Sequence, residues 1–138
     1  MTPEKFTNVT NGIAHRRWLS YSNPELAKLL TECIGDEFHT EPQALEKFLK
    51  YANDTSVLDR LSEIKADNTL RLSKAIFDKT GTSLDVSSVF DVQVKRIHEY
   101  KRQLLNVLKI VALYDEIKNN PNADITPQTF IFGGKAAS

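Results

Sequence analysis

The sequence predicts an α/β chain dominated by helix, with a loop and helical subregion over residues 1–82 and a partial βαβ unit over 83–138. Three observations carry that prediction. Apolar residues recur at helical spacing in punctuated stretches of the first half. The period then drops to two at Phe90-Asp91-Val92-Gln93-Val94, the mark of a half-buried strand. A long helical stretch and a second apolar run, Thr129-Phe130-Ile131-Phe132, follow. Strand, helix, strand in that order implies parallel strands and a right-handed crossover.

Residues 1–19 show no periodicity, and Asn8, Thr10, Asn11 and Gly12 form a polar cluster of the kind that marks a turn. They lead into Arg16-Arg17-Trp18-Leu19, where a lone tryptophan reads as a core or domain-contact anchor. A helix is predicted over 23–34. Asn23 can cap it, Pro24 suits its first position, Glu25 suits its positive end and Gly35 stops it. Leu26, Leu29, Leu30, Cys33 and Ile34 share one face. A second helix starts near Pro42 and buries Leu45, Phe48, Leu49 and Ala52; a third runs from about Ser56 to about Asp78 with Leu58, Leu61, Ile64, Leu72, Ala75 and Ile76 inward. Its charged side, with Asp59, Arg60, Glu63, Asp67 and Lys74, is a solvated face.

After Gly81 comes the strand at Phe90–Val94, then a helix from about Ile97 to Lys118, apolar at Leu104, Leu105, Val107, Leu108, Val111 and Ala112. So wide an apolar face predicts burial against a sheet. Asn119-Asn120-Pro121-Asn122 breaks the helix before the second strand. Two parallel strands make a poor sheet, so the chain reads as one segment of a larger protein.

The chemistry concentrates where the first strand runs into its helix. Lys95, Arg96, His98, Lys101 and Arg102 stand there against the single carboxylate of Glu99. The first turn of a helix carries partial positive charge, so cations are locally unfavourable and an anion is expected to compensate them. The plain alternative is a solvated surface in which Glu99 pairs with Arg102, worth about 0.2–0.5 kcal/mol. That accounts for Arg102. It leaves the other cations unexplained at a strand end, where open α/β sheets bind ligands. A site for a phosphate-type anion is therefore expected. The second strand ends in Gly133-Gly134-Lys135-Ala136, which lacks the earlier glycine and the hydroxyl residue of a nucleotide-binding loop. Its glycines instead suit close approach of backbone.

The fifteen-residue run Val92-Gln93-Val94-Lys95-Arg96-Ile97-His98-Glu99-Tyr100-Lys101-Arg102-Gln103-Leu104-Leu105-Asn106 resembles the signature of the glycogen, starch and maltodextrin phosphorylases. Thr10-Asn11-Gly12-Ile13, Arg16-Arg17-Trp18-Leu19 and Phe132-Gly133-Gly134-Lys135-Ala136 agree with the same family in order. The family commonly has Thr-Pro where this chain has Ala14-His15. The resemblance implies part of the C-terminal Rossmann-like domain of a glycosyltransferase B-type fold, and phosphorolysis of α-1,4-glucan to glucose 1-phosphate with pyridoxal phosphate as cofactor. It implies that Asn11 contacts the glucosyl unit, that Trp18 and Val94 pack on the cofactor, and that Lys95 neutralises the cofactor's phosphate. Arg96 and Lys101 would hold the substrate phosphate, which makes Lys95, Arg96 and Lys101 the catalytic cluster. His98, Glu99 and Tyr100 are supporting structure. The Schiff-base lysine of the family lies in a later motif without a match here, so the isolated chain is expected to be inactive. Partners would be phosphate, glucan and the rest of the phosphorylase chain, in a homodimer.

Composition sets the outer limits. Lys plus Arg and Asp plus Glu both number 18, so overall charge directs the chain to neither nucleic acid nor membrane. One cysteine, Cys33, permits no internal disulfide and reads as packing. With no signal-like start, the chain reads as cytoplasmic, and no metal site is expected. A rival reading is a free-standing helical module that binds a phosphorylated partner or RNA through the basic edge. Against RNA, only Tyr100 lies inside the basic cluster, whereas stacking platforms interleave aromatics with cations. A pure scaffold is the third possibility.

Overall fold

A computed structural model of the chain describes residues 3–136. Helix dominates, and the two strands form one small parallel sheet. The chain divides between Arg71 and Leu72 into two compact units.

In the first unit, helix α1 spans Pro24–Ile34. The Asn23 side chain accepts from the Leu26 amide at 3.4 Å, and Gly35 ends the helix at a φ of 80°, as its capping residues predict. Leu30, Phe38 and Ala44 are the buried centre, with Leu19, Leu26, Ile34, Leu45 and Phe48 packed around them. Phe38 is fully buried. It sits on a short 3₁₀ turn, Asp36–His39, between the two segments predicted as helices.

The segment Pro42–Tyr51 is a 3₁₀ helix rather than an α-helix. That corrects its predicted inward face. At three residues per turn, Leu45, Phe48 and Tyr51 align and are half-buried, whereas Leu49 falls a third of a turn away and is 74% exposed. Ala52 is exposed as well, and Ala44 is buried instead. The Tyr51 hydroxyl donates to the Cys33 carbonyl at 2.8 Å, which ties this segment to the end of α1.

Helix α2 spans Thr55–Thr80. Of its predicted inward residues, Leu61, Ile64 and Ile76 are half-buried, but Leu58, Leu72 and Ala75 are exposed. Val57 is its buried residue. Arg60, predicted to be merely solvated, pairs with Glu32 of α1 at 2.7 Å; the hydrogen bond it donates to that carboxylate holds the Arg60 pKa above its ordinary value. Asp54 starts the helix by accepting from the Ser56 and Val57 amides at 3.0 and 3.3 Å. The Ser56 hydroxyl, then the Val57 amide, hold its carboxyl below the ordinary aspartate value of 3.8. A depressed carboxyl stabilises the fold above its unfolded pKa and loses that contribution as pH falls through the folded one. The first turn of α2 is thus expected to fray below about pH 4, seen as faster amide exchange at Ser56 and Val57; unchanged exchange down to pH 2.5 would contradict this.

In the second unit, β1 (Val89–Val94) pairs in parallel with β2 (Gln128–Gly133), Val89 opposite Gln128 and Val94 opposite Gly133. Helix α3 (Gln103–Asn119) connects them, so the predicted βαβ order is present. Its start differs. The α-helix begins six residues later than the apolar spacing suggested, and β1 does not run directly into it. Ile97 makes an isolated bridge to Ala136, Glu99–Lys101 form a 3₁₀ turn, and Arg102 adopts a left-handed φ of 56°.

The face that α3 presents to the strands also differs from prediction. Asn106 donates to Gln93 Oε1 at 2.9 Å, and Lys109 forms an ion pair with Asp91 while its ammonium lies 4.9 Å from the centre of the Phe130 ring. Gln103, Asn106, Ile110 and Leu113 are the half-buried strip. Leu104, Leu105, Leu108 and Val111 are exposed, Leu104 by 71%. Strand side chains alternate between faces, so α3 covers the side carrying Asp91 and Gln93. Val92 and Val94, on the opposite side, are exposed. Apolar periodicity marks the surfaces that can be buried, and here hydrogen bonds and an ion pair choose which one the helix takes.

Candidate anion site at the end of the parallel strands

Past Val94 the two chains stay side by side. The Lys95 amide donates to the Gly133 carbonyl at 3.0 Å and the Ile97 amide to the Lys135 carbonyl at 3.1 Å. Gly134 is needed for this approach, because a Cβ there would collide with the Lys95 carbonyl oxygen. Gly134 thus has the use expected of the pair, whereas a Cβ at Gly133 would meet only the Val94 side chain. A cavity of about 190 Å³ opens at this point, lined by Gln93, Lys95, Ile97, Gln103, Phe132, Gly133 and Gly134. It lies beyond the carboxyl ends of parallel strands, the usual place for a ligand in an open α/β sheet. Lys95 is among its lining residues, Gly133 and Gly134 leave its floor free of side chains, and Ile97 and Phe132 give apolar walls.

The other cations are placed differently. Arg102 and His98 line a neighbouring apolar groove with Leu104, Leu105 and Leu108. The Lys101 ammonium lies 5.6 Å from the centre of the Tyr100 ring, and the rings of Tyr100 and His98 are 4.6 Å apart. Arg96 is exposed and lines neither hollow. Among the described residues, no carboxylate forms an ion pair with Lys95, Arg96, Lys101 or Arg102. The Glu99–Arg102 pair weighed from the sequence is therefore not formed; those residues meet only through the Arg102 amide and the Glu99 carbonyl at 3.1 Å. Because α3 starts at Gln103, the cations occupy a loop before the helix rather than its first turn. The repulsion expected from the helix end is correspondingly relieved, and what remains is a run of positive charge without a carboxylate partner.

In the first unit, Asn11 is exposed in the opening loop and Trp18 lies on a π-helical turn, Arg16–Tyr21, with 64% of its surface exposed. Leu19, not Trp18, joins that unit's core. His15 anchors the turn. Its Nε2 donates to the carbonyls of Phe38 and His39 at 2.9 and 3.2 Å, and Arg16 Nη1 donates to the His39 carbonyl at 3.1 Å.

The model of the carbohydrate phosphorylases matches residues 1–138. The chain belongs to that family. It is 48% identical over 136 residues to the glycogen phosphorylase of Haemophilus influenzae, and 47% identical over 135 residues to that of Bacillus subtilis. It is 45% identical over 137 residues to the muscle form of glycogen phosphorylase from Rattus norvegicus. These matches cover 98–99% of this chain and 16–17% of each relative, so the chain spans about one sixth of their length. Among the described residues, no helix is long and apolar enough to cross a membrane, and no three His, Cys, Asp or Glu side chains gather as a metal site requires.

One contributor to the site escaped sequence reading. The Gln103 side chain bonds both Arg96 and His98 across the loop. Its position at the head of an apolar helical run offers no periodic signal.

Proposed function

We propose that this chain is a segment of an α-1,4-glucan phosphorylase, a glycosyltransferase that cleaves the terminal glucan bond with inorganic phosphate and releases glucose 1-phosphate. The observation that carries this reading is the run of cations without carboxylate partners, Lys95 to Arg102, at the carboxyl end of β1. Membership of the phosphorylase family supports it. The βαβ unit is read as part of a Rossmann-like domain of the glycosyltransferase B type, entered at about residue 83.

Each residue has a stated part. Arg96 and Lys101 hold the substrate phosphate, arginine as a planar two-pronged donor and lysine as a point charge. Asn11 contacts the glucosyl unit. Lys95 neutralises the phosphate of pyridoxal phosphate, and Val94 and Trp18 pack against that cofactor. The lining of the strand-end cavity suits such a group, because it combines a lysine, Lys95, with apolar walls at Ile97 and Phe132 above a glycine floor. When bound, the cofactor supplies acid–base help from its phosphate group. The chain's own contribution is fixed positive charge, positioned in advance where two phosphate groups come close.

No residue of this chain matches the family's Schiff-base lysine motif, so the isolated chain is read as inactive. Activity, glucan binding and dimer formation belong to the complete cytoplasmic enzyme. In that enzyme, Arg96→Ala is expected to raise the KM for phosphate by an amount equivalent to about 1.5–3 kcal/mol, the size of a lost charge-assisted bond. The KM for glucan should stay the same. Initial rates at varied phosphate test this, and an unchanged phosphate dependence would remove Arg96 from the role.

A further inference from the structure

We infer that Gln103 is the positioning residue of the basic loop: its side-chain amide stands in for a third strand and sets the backbone that carries Lys95 and Arg96. The inference rests on the phosphate-site reading above. On one side, the loop backbone is held by β2 and its continuation, through the Lys95 amide to Gly133 and the Ile97 amide to Lys135. The intervening backbone groups point away from β2. There Gln103 Nε2 donates to the Arg96 carbonyl at 3.1 Å, and the His98 amide donates to Gln103 Oε1 at a longer 3.5 Å. A parallel ladder joins one residue to the carbonyl and the amide that flank its neighbour in the next strand. The Gln103 amide reproduces that pattern around Ile97 with a side chain. The peptide between Lys95 and His98 is thereby bonded on both edges, and Gln103 lines the same cavity as Lys95.

The test is made in the complete phosphorylase. Gln103→Met keeps the side-chain length and removes both bonds. Lys109→Leu, further along the same helix, removes an ion pair with Asp91, which lies outside both the loop and the lining of the cavity. The Met variant is expected to raise the KM for phosphate by about tenfold, the scale of one or two lost hydrogen bonds, with the KM for glucan unchanged. The Leu variant is expected to lower stability and leave both constants unchanged. Equal effects of the two variants on phosphate KM would reduce Gln103 to ordinary packing and overturn the inference. So would a normal phosphate KM in Gln103→Met beside a raised one in Arg96→Ala, a result that leaves the site reading intact. If Arg96→Ala is itself without effect, the site reading falls and this inference with it. A measurement on the wild-type enzyme does not depend on any variant folding: the His98 amide is expected to exchange slowly with solvent, and exchange at the rate of a free amide would overturn the assignment.

Discussion

Phe38→Ala is expected to destabilise the first unit by about 3–5 kcal/mol, the usual cost of emptying a fully buried aromatic site. The ring has no exposed surface, and the cluster around it, with Leu30 and Ala44 at its centre, is small. A short 3₁₀ turn carries it and cannot move inward without breaking the bonds that His15 and Arg16 make to the carbonyls of Phe38 and His39. The void therefore stays open. Since whole domains have only about 5–15 kcal/mol to lose, this one change is expected to leave the unit marginal. Urea denaturation of the purified chain reads it, with Phe38→Leu as the milder comparison. A midpoint shift for alanine no larger than that for leucine would mean that the site collapses around the gap.

Gly134→Val is expected to have the second largest effect and to strike the site directly. The new Cβ meets the Lys95 carbonyl oxygen, a backbone atom with no rotamer to yield. Overpacking ordinarily costs about 1–3 kcal/mol and occasionally more, and a branched side chain against backbone belongs at the upper end. The two chains must part beyond Val94, losing the Ile97 amide bond to Lys135 and the bridge to Ala136. In the complete enzyme, phosphate KM should rise, and in the chain itself the Ile97 amide should exchange rapidly. Protection of that amide equal to wild type would show that the clash is absorbed elsewhere.

Much of the fold was legible because its signals are local. Asn23, Pro24 and Gly35 delimit α1 by their own backbone chemistry, and the change of period at Phe90 announces β1. Where two local signals competed, reading failed. The apolar spacing continues from Ile97 into Leu104, yet Ile97 is held by Ala136, almost forty residues later in the sequence. No window of neighbouring residues contains that partner, so the basic stretch read as helix when it is loop. Pro42–Tyr51 shows a related failure: apolar residues three and four apart suit both helix types, and packing selected the tighter one. The candidate site was legible as composition, in Lys95, Arg96 and Lys101. Its support was not, because Gln103 acts through an amide whose partners are backbone atoms.

The bonds along α3 give that helix a mechanical character. Gln103, Asn106 and Lys109 engage Arg96 with His98, Gln93 and Asp91 in succession. An oily interface lets one element slip past another by a fraction of a turn, since dispersion forces are indifferent to small offsets. Directional rungs are not, and a slip would break all three together. The helix is consequently held at one offset along the strand, the offset at which Gln103 meets the Arg96 carbonyl.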